Sequence, residues 1–189
     1  SGPKGLGKAT FSYHLINFIL SKDEKFAYEL KDFSINNQNK SFRLIQNKTH
    51  PNFNLIDVMP EKINIDINQI RHLISKFNKS SFNSKPRLIL IDNIELLNIS
   101  SVNALLKFLE EPTVNTYFIL IHNHKDIPHT LRSRCLEFKI FFSNNEILDI
   151  SSKLLNEDVF NLINKDLLNY YLTPGKIYNL YHLCYENNI

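Results

Sequence analysis

The stretch that most constrains this chain is its opening, SGPKGLGKAT. Gly2, Gly7 and Lys8 have the spacing of a phosphate-binding loop, G-x-x-x-x-G-K-[ST], and Gly5 lies inside it. Such a loop follows a buried strand and opens a helix, so that backbone N–H groups and the helix N-terminus face the phosphates. The motif therefore predicts a parallel α/β sheet that carries a nucleotide site. The predicted phosphate-binding residues are Gly2, Gly5, Gly7 and Lys8.

The loop departs from an active site at its last position, where Ala9 replaces the usual serine or threonine. That hydroxyl normally ligates Mg²⁺ between the terminal phosphates, and an alanine methyl cannot do so. Thr10 is no obvious substitute, because one step along a helix rotates a side chain by about 100°. We therefore predict no metal ligand in the loop.

The strand that should enter the loop is not present in the sequence, which begins at Ser1. We expect the sequence to be a fragment of a longer protein, with the N-terminal strand of its core missing. A chain of 189 residues can still bury one sizeable core and a small additional domain.

Composition excludes several classes of protein. No apolar run approaches the roughly 20 residues that span a bilayer, so we predict neither a membrane nor a signal segment. The net charge of +3 is mild and both signs are interspersed, so composition alone predicts no nucleic-acid interface. Cys135 and Cys184 lie far apart in the sequence, which argues against a disulfide framework and favours a reduced, cytoplasmic setting.

Apolar segments of strand and helix length alternate along the chain. Runs such as LILID, Leu88 to Asp92, are typical of parallel strands that are covered on both faces. Residues 21 to 52 are polar and rich in asparagine, which predicts an exposed excursion. The predicted strands are 54 to 58, 88 to 92, 117 to 121 and 138 to 142. The first predicted helix is 6 to 20, with Phe11, Leu15, Phe18 and Ile19 at helical spacing. The second is 67 to 77, after an N-cap at Asp66. The third starts at Ser100 or Ser101 and stops before Pro112.

This order of elements predicts an α/β fold, a doubly wound parallel sheet flanked by helices, with its ligand site at the carboxyl ends of the strands. From about residue 143 the strand signals vanish. Apolar residues at helical spacing, among them Ile147, Leu154 and Ile163, predict a small C-terminal helical domain there.

Asp92 ends the LILID run at the position that holds Mg²⁺ in phosphate-loop proteins, so it joins the predicted nucleotide site. Active ATPases of this architecture usually have an acidic residue next, which polarises the attacking water. Here the next residue is Asn93, and an amide cannot accept a proton. Glu95 lies two positions further on, and we interpret it as a solvated charge at a helix start. Together with Ala9, Asn93 predicts a degenerate site.

Several segments carry a family resemblance. GPKGLGKAT, THPNFNLIDV, LILIDNIELLN, SSVNALLKFLEEP and IPHTLRSRC, in this order, resemble the clamp-loader branch of the AAA+ family in bacterial DNA polymerase III. The resemblance covers most of residues 1 to 142, and NALLKFLEEP and LRSRC are its most specific parts. It implies a AAA+ P-loop core over residues 1 to 142 and a helical lid domain over 143 to 189, with the family's collar domain absent from the sequence.

The resemblance implies a role for Arg134. In clamp loaders the arginine of the Ser-Arg-Cys triplet acts in trans on ATP bound to the neighbouring subunit, and Arg134 matches it. Ala9 and Asn93 favour a subunit without intrinsic ATPase activity over the active gamma/tau type, which stays the alternative. The chain would then donate an arginine finger while the sliding clamp is loaded on primed DNA. Cys135 by itself is interpreted as a core thiol rather than a metal ligand.

The chain departs from the family in further places. No cysteine occurs in residues 29 to 49, where the family often has a four-cysteine zinc module, so we predict no zinc. In LTPGKIYNL, Gly175 falls where the ATPases place arginine, and Lys176 lies one step beyond it.

A polar sensor of the terminal phosphate should follow the third strand. His122, Asn123 and His124 stand there, and the sequence leaves open which of them, if any, serves. His124 and His129 are interpreted as exposed loop histidines.

Two outcomes stay open for the loop: it binds ATP or ADP without hydrolysis, or it binds no nucleotide. The implied partners are the gamma/tau and delta subunits and, through the complex, the sliding clamp and primed DNA, with no membrane. Two other classes compete. A small P-loop kinase would need an arginine-rich substrate lid after the core, which the tail hardly offers. A nucleic-acid-binding module would need a basic stripe with aromatic stacking residues, and neither is clear.

Overall fold

The structure is a computed structural model, and it describes residues 1–77, 84–123, 126–162 and 170–186. The chain divides into two compact units, of which the larger is Ala9–Glu137 and the smaller combines Ser1–Lys8 with Phe138–Ile189. This division differs from the predicted boundary between residues 142 and 143, and a core of 1–142 with a lid domain of 143–189 stays a prediction. Within the described ranges, no helix is both long enough and apolar enough to cross a membrane.

The larger unit is built on a parallel sheet of three strands in the order β1-β2-β3. β1 is Phe53–Ile56, β2 is Arg87–Ile91 and β3 is Thr116–Leu120. The central strand is the most deeply buried, since Leu88 to Ile91 are each at most 1% exposed. A strand covered on both faces has no solvent side, which explains why LILI shows no polar alternation. Three predicted strands are thus confirmed, with ends shifted by one or two residues.

Helices cover both faces of this sheet, and the alternation of side chains along β2 assigns each residue to one face. Ile89 and Ile91 pack in the cluster formed with α3 and α4, whereas Leu88 and Leu90 pack in the cluster formed with α1. The helices are α1 (Lys8–Leu20, whose first residue belongs to the smaller unit), α2 (Lys40–Gln46), α3 (Ile67–Phe77), α4 (Ile99–Glu110) and α5 (His129–Arg132), with a short 3-10 helix at Ile94–Leu96.

The predicted start of α4 is corrected by its cap. Asn98 is the N-cap, because its Oδ1 accepts a hydrogen bond from the backbone N–H of Ser101 at 2.8 Å. Ser100 and Ser101, the two predicted starters, therefore lie in the first turn. The predicted end before Pro112 is confirmed, since the helix stops at Glu110.

The buried face of α1 also differs from the prediction. Phe11 is 62% exposed and Phe18 is 38% exposed, while Ile16 and Leu20 are fully buried against the sheet. Phe18 instead packs edge-on against the ring of Tyr28, with the ring centroids 5.9 Å apart. Helical spacing alone could not tell which of two apolar faces turns toward the sheet.

The predicted strand at residues 138–142 is wrong, because this segment has no regular structure. Phe138 and Phe141 are 75% and 78% exposed. The terminal amino group of Ser1 donates to the carbonyl of Phe138 at 2.6 Å, and the N–H of Ile140 donates to the carbonyl of Ser1 at 2.8 Å. Both hydrogen bonds are made to a single residue, Ser1. A β-strand, in contrast, is hydrogen-bonded to a neighbouring strand along its length.

The predicted exposed excursion, residues 21–52, is more ordered than expected. It contains α2, which Asn39 caps, and it buries a hydrogen-bonded chain of polar groups. The Nδ1 of His50 accepts from the backbone N–H of Asn52 at 3.1 Å, so in the neutral ring Nε2 carries the proton. Nε2 lies 3.2 Å from the hydroxyl of Ser41, which donates to Glu24 Oε1 at 2.6 Å. This series of hydrogen bonds requires that the His50 ring be uncharged.

The buried His50 predicts a pH dependence of stability. Burial lowers the pKa of His50 below its usual value, so between the folded and unfolded pKa values the unfolded chain binds the proton more readily. We expect the free energy of unfolding to fall as the pH drops below about 6.5, the ordinary histidine value. Urea unfolding at pH 7.5 and 5.5 measures this, and His50→Gln should flatten the fall. An equally steep fall in the variant would contradict the assignment.

The smaller unit is helical in its C-terminal part, as predicted. Ser143 and Glu146 form a capping box, in which each side chain bonds to the other residue's backbone N–H. The helices are α6 (Asn144–Leu155), α7 (Val159–Leu162) and α8 (Pro174–Glu186), and they share a core of Ile147, Val159 and Ile177. Ile163, which the periodicity placed in this region, lies outside the described residues.

Candidate functional site

The glycine-rich loop leads into α1, as its motif requires. Gly5 and Gly7 have φ values of +92° and +75°, which residues with a Cβ adopt only under strain. Lys8 is 7% exposed, and its Nζ donates to the carbonyls of Gly2 at 2.8 Å and Pro3 at 2.6 Å. The ammonium group is thus bonded to carbonyls of its own loop.

The segment that begins α8 lies against the same loop within the smaller unit. The hydroxyl of Thr173 donates to the carbonyl of Lys4 at 2.8 Å, and the N–H of Gly175 donates to the carbonyl of Gly5 at 2.9 Å. A Cβ at Gly175 would lie 2.8 Å from the Cα of Gly5, closer than real Cβ atoms come. The absence of a side chain at Gly175, where the ATPases place arginine, therefore has a packing reason here.

In the larger unit, polar side chains follow all three strands at the carboxyl end of the sheet. Asp57 follows β1, Asp92 and Asn93 follow β2, and Asn123 lies beyond β3. The Nδ2 of Asn93 donates to Asp57 Oδ1 at 2.9 Å, while the Oδ1 of Asn93 accepts from Asn123 Nδ2 at 2.8 Å. The same Nδ2 of Asn123 lies 2.8 Å from Glu95 Oε1.

Asn93 is therefore bonded on both sides of its amide. Its backbone has φ +57° and ψ +50°, a left-handed conformation that asparagine tolerates better than most residues. The predicted solvated charge at Glu95 is wrong, because its Oε2 is buried without a hydrogen-bond partner among the described residues. Glu95 lies inside the short 3-10 helix, and Asn123, which lies beyond β3, donates to its Oε1.

Negative charge collects at this end of the sheet. Burial raises the pKa of the Tyr13 phenol on α1, and the carboxylates of Asp92 and Asp57 raise it further. Both carboxylates therefore influence Tyr13. In the described part of the chain, no group of three or more histidine, cysteine, aspartate or glutamate residues could hold a metal ion.

The structure describes two of the three candidate sensors, and it gives them different partners. Asn123 joins the amide network, whereas His122 lies with its Nε2 3.5 Å from Glu137 Oε1 and its Nδ1 buried without a partner in the described residues. Burial lowers the pKa of His122, against the opposing effect of Glu137. His124 lies outside the described residues, and His129 is exposed at the start of α5.

Arg134 lies just beyond α5 and is exposed. Its Nη1 donates to the carbonyl of Thr130 at 2.9 Å, and its Nη2 forms a short ion pair with Glu110, the last residue of α4. Cys135, predicted to be a core thiol, is exposed, so that prediction is wrong. Its neighbours on both sides, Arg134 and Leu136, are exposed as well, because the chain leaves α5 along the surface.

The predicted residues belong to both units. Gly2, Gly5, Gly7 and Lys8 lie in the smaller unit, whereas Asp92 and Arg134 lie in the larger unit. Sequence reasoning missed Asp57 and Glu110. Asp57 could have been found, since it ends the NLID run and the carboxyl ends of parallel strands meet at one edge of a sheet.

Exchanging Asn93 for aspartate tests the amide network. Asn93→Asp would place a carboxylate against Asp57 and replace a donor with an acceptor, so we expect the protein to lose about 1–3 kcal/mol of stability near neutral pH. We also expect no gain of ATP hydrolysis, since Ala9 still lacks the metal-binding hydroxyl. Urea unfolding and phosphate release measure the two effects. Unchanged stability would contradict the network's role, and ATP turnover by the variant would contradict the role given to Ala9.

A parallel sheet flanked by helices, with a glycine-rich loop that leads into α1 and an aspartate after β2, is the arrangement of a P-loop type of α/β protein. The family model described as DNA polymerase III, delta subunit, matches residues 1–143, and the chain belongs to this family. Within the clamp loaders, the departures at Ala9 and Asn93 predict a likeness to the delta-prime subunit, and this prediction is confirmed by the curated relatives.

Delta-prime and gamma subunits are both among the relatives. The delta-prime subunit of Buchnera aphidicola subsp. Baizongia pistaciae is 30% identical over 151 residues, which are 76% of this chain and 43% of that protein. The delta-prime subunit of Pseudomonas aeruginosa is 27% identical over 72% of this chain and 40% of its own length. A gamma subunit from Buchnera aphidicola subsp. Schizaphis graminum is 36% identical over 51% of this chain and 24% of its own.

The chain spans about two fifths of the delta-prime relatives it matches. Among solved structures, a gamma subunit-related protein of DNA polymerase III from Thermotoga maritima aligns over 68% of this chain and 42% of its own, with a TM-score of 0.49 and 22% identity.

Proposed function

We propose that this chain acts as a delta-prime-like subunit of a DNA polymerase III clamp loader, without ATPase activity of its own. It donates Arg134 in trans to ATP on a neighbouring subunit while the sliding clamp is loaded on primed DNA. The observation that carries the first part is the state of Asn93, whose amide is bonded to Asp57 on one side and Asn123 on the other. No carboxylate stands at position 93 to polarise water.

The chemistry of Arg134 supports the second part of the proposal. A guanidinium stays charged at any physiological pH, and its planar fork matches the oxygens of a phosphate. Arg134 is exposed at the end of α5, where a neighbouring subunit could approach it. Charge that develops on a transferring phosphoryl group is stabilised by such a finger without any covalent step on this chain.

The proposed role requires no nucleotide on this chain. The loop of Gly2, Gly5, Gly7 and Lys8 then serves as a structural element, and the self-bonded Lys8 is consistent with that use. The partners in this proposal are the gamma/tau and delta subunits, with the clamp and primed DNA reached through the complex. Replication of this kind places the protein in the cytoplasm.

An active gamma/tau-type ATPase is the second candidate, and the gamma relative that matches half of the chain favours it. An assay of ATP turnover distinguishes the two candidate functions. The full-length purified protein, alone, is expected to release no phosphate from ATP above background with Mg²⁺ present, because both the metal-binding hydroxyl and the water-polarising acid are missing. A hydrolysing clamp-loader subunit assayed beside it is the positive control. Magnesium-dependent turnover by the purified protein would overturn the proposal in favour of the ATPase.

A further inference from the structure

We propose that Glu110 is a positioning residue that holds the guanidinium of Arg134 for its action in trans, an inference that rests on the function proposed above. Glu110 ends α4 and Arg134 lies just beyond α5, so the pair joins two helices across the surface of the larger unit. Their side chains keep 49% and 36% of their exposure, respectively, so the pair is accessible to a neighbouring subunit.

The contacts of Arg134 hold its guanidinium without using all of its donors. A guanidinium has five N–H donors. Nη1 bonds to the carbonyl of Thr130 at 2.9 Å and lies 3.5 Å from the hydroxyl of Ser133, while Nη2 pairs with Glu110. In the described part of the chain, these contacts leave the Nε–H and one Nη2 hydrogen, and two donors suffice for a bidentate contact with a phosphate.

The position of Glu110 is not one that the helix itself favours. A carboxylate at the last residue of a helix faces the partial negative charge of the helix C-terminus. The positive charge of the Arg134 guanidinium offsets this repulsion. The ion pair therefore holds the guanidinium at the end of α4. Arg134 is then ordered before a partner arrives, so that less side-chain entropy is lost when it binds phosphate.

The experiment uses the full-length protein reconstituted with its clamp-loader partners. Glu110→Gln keeps the shape of the side chain and removes its charge, and Glu111→Gln is the matched control one residue further on. We expect Glu110→Gln to lower kcat about 2- to 10-fold, the range for ordering one long side chain, where kcat is the single-turnover rate constant for ATP hydrolysis at the site that Arg134 serves, with clamp and DNA present. Glu111→Gln should leave kcat unchanged, and complex assembly should be equal in both.

A double-mutant cycle distinguishes positioning from a general structural role. If Glu110 acts through Arg134, Glu110→Gln has no further effect on kcat in the Arg134→Ala background. Lowered kcat in Arg134→Ala together with unchanged or raised kcat in Glu110→Gln overturns this inference and leaves the finger in place. A Glu110→Gln effect that persists in the Arg134→Ala background overturns it as well. Unchanged kcat in Arg134→Ala alone overturns the proposed function and this inference with it.

Discussion

Arg134→Ala in the reconstituted, full-length complex is expected to slow hydrolysis at the ATP site it serves by about 10³- to 10⁵-fold, the range for arginine fingers in phosphoryl transfer. The physical reason is that the substitution removes a cation that meets charge developing on the transferring phosphoryl group. Because only one site of the complex loses its finger, the fraction of bound ATP hydrolysed in a single turnover is the proper measurement. Steady-state turnover would mix the affected site with the others.

Arg132 offers a matched control for this experiment. It lies on α5 two positions before Arg134, is also exposed, and pairs with Glu137 at 2.6 Å. Removal of an exposed ion pair costs about 0–1 kcal/mol of stability, so Arg132→Ala should leave the single-turnover fraction at the wild-type level. Arg134→Lys should be intermediate, because it keeps the charge and loses the fork. Equal hydrolysis in Arg134→Ala and Arg132→Ala would contradict the role in trans.

The sheet could be predicted from local pattern because its central strand is buried on both faces. Leu88 to Ile91 are apolar without interruption, as expected of a strand between two helical layers. Residues 138–142 are also mostly apolar, yet they form no strand, and Phe138 and Phe141 are exposed. Apolar composition reports a tendency to be buried, whereas a strand also needs a neighbour along its edge, and no local pattern contains that information.

The candidate site was predictable only where its residues belong to short motifs. Lys8, Asp92 and Asn93 could be found because their neighbours in sequence define their roles. Asp57 is hydrogen-bonded to Asn93, which lies 36 positions away in the sequence, and Glu110 is paired with Arg134, which lies 24 positions away. Such pairs become visible only once the fold brings the ends of different elements together.

The glycine-rich loop is another case in which a motif does not reveal tertiary contacts. The motif explains its glycines by phosphate binding, whereas the structure shows a packing reason for Gly5. At Gly5, a Cβ would lie 2.4 Å from the hydroxyl oxygen of Thr173 and 3.3 Å from the Cα of Gly175. At Gly7, nothing lies within 4 Å of the corresponding position. The two glycines share a positive φ and differ in their surroundings, which makes them a matched pair for experiment.

Gly5→Ala is expected to destabilise the protein by about 2–4 kcal/mol, of which about 1–2 kcal/mol is left-handed backbone strain and the rest is crowding against α8. Gly7→Ala should cost only the strain, since its Cβ meets open space. Urea unfolding gives the two free energies, and hydrogen exchange of the α8 amides shows whether the loss is felt there. In Gly5→Ala the first residues of α8 should lose protection, because the bonds from Thr173 and Gly175 to the loop are disturbed. Equal free energies for the two variants would mean that the loop and the start of α8 do not support each other.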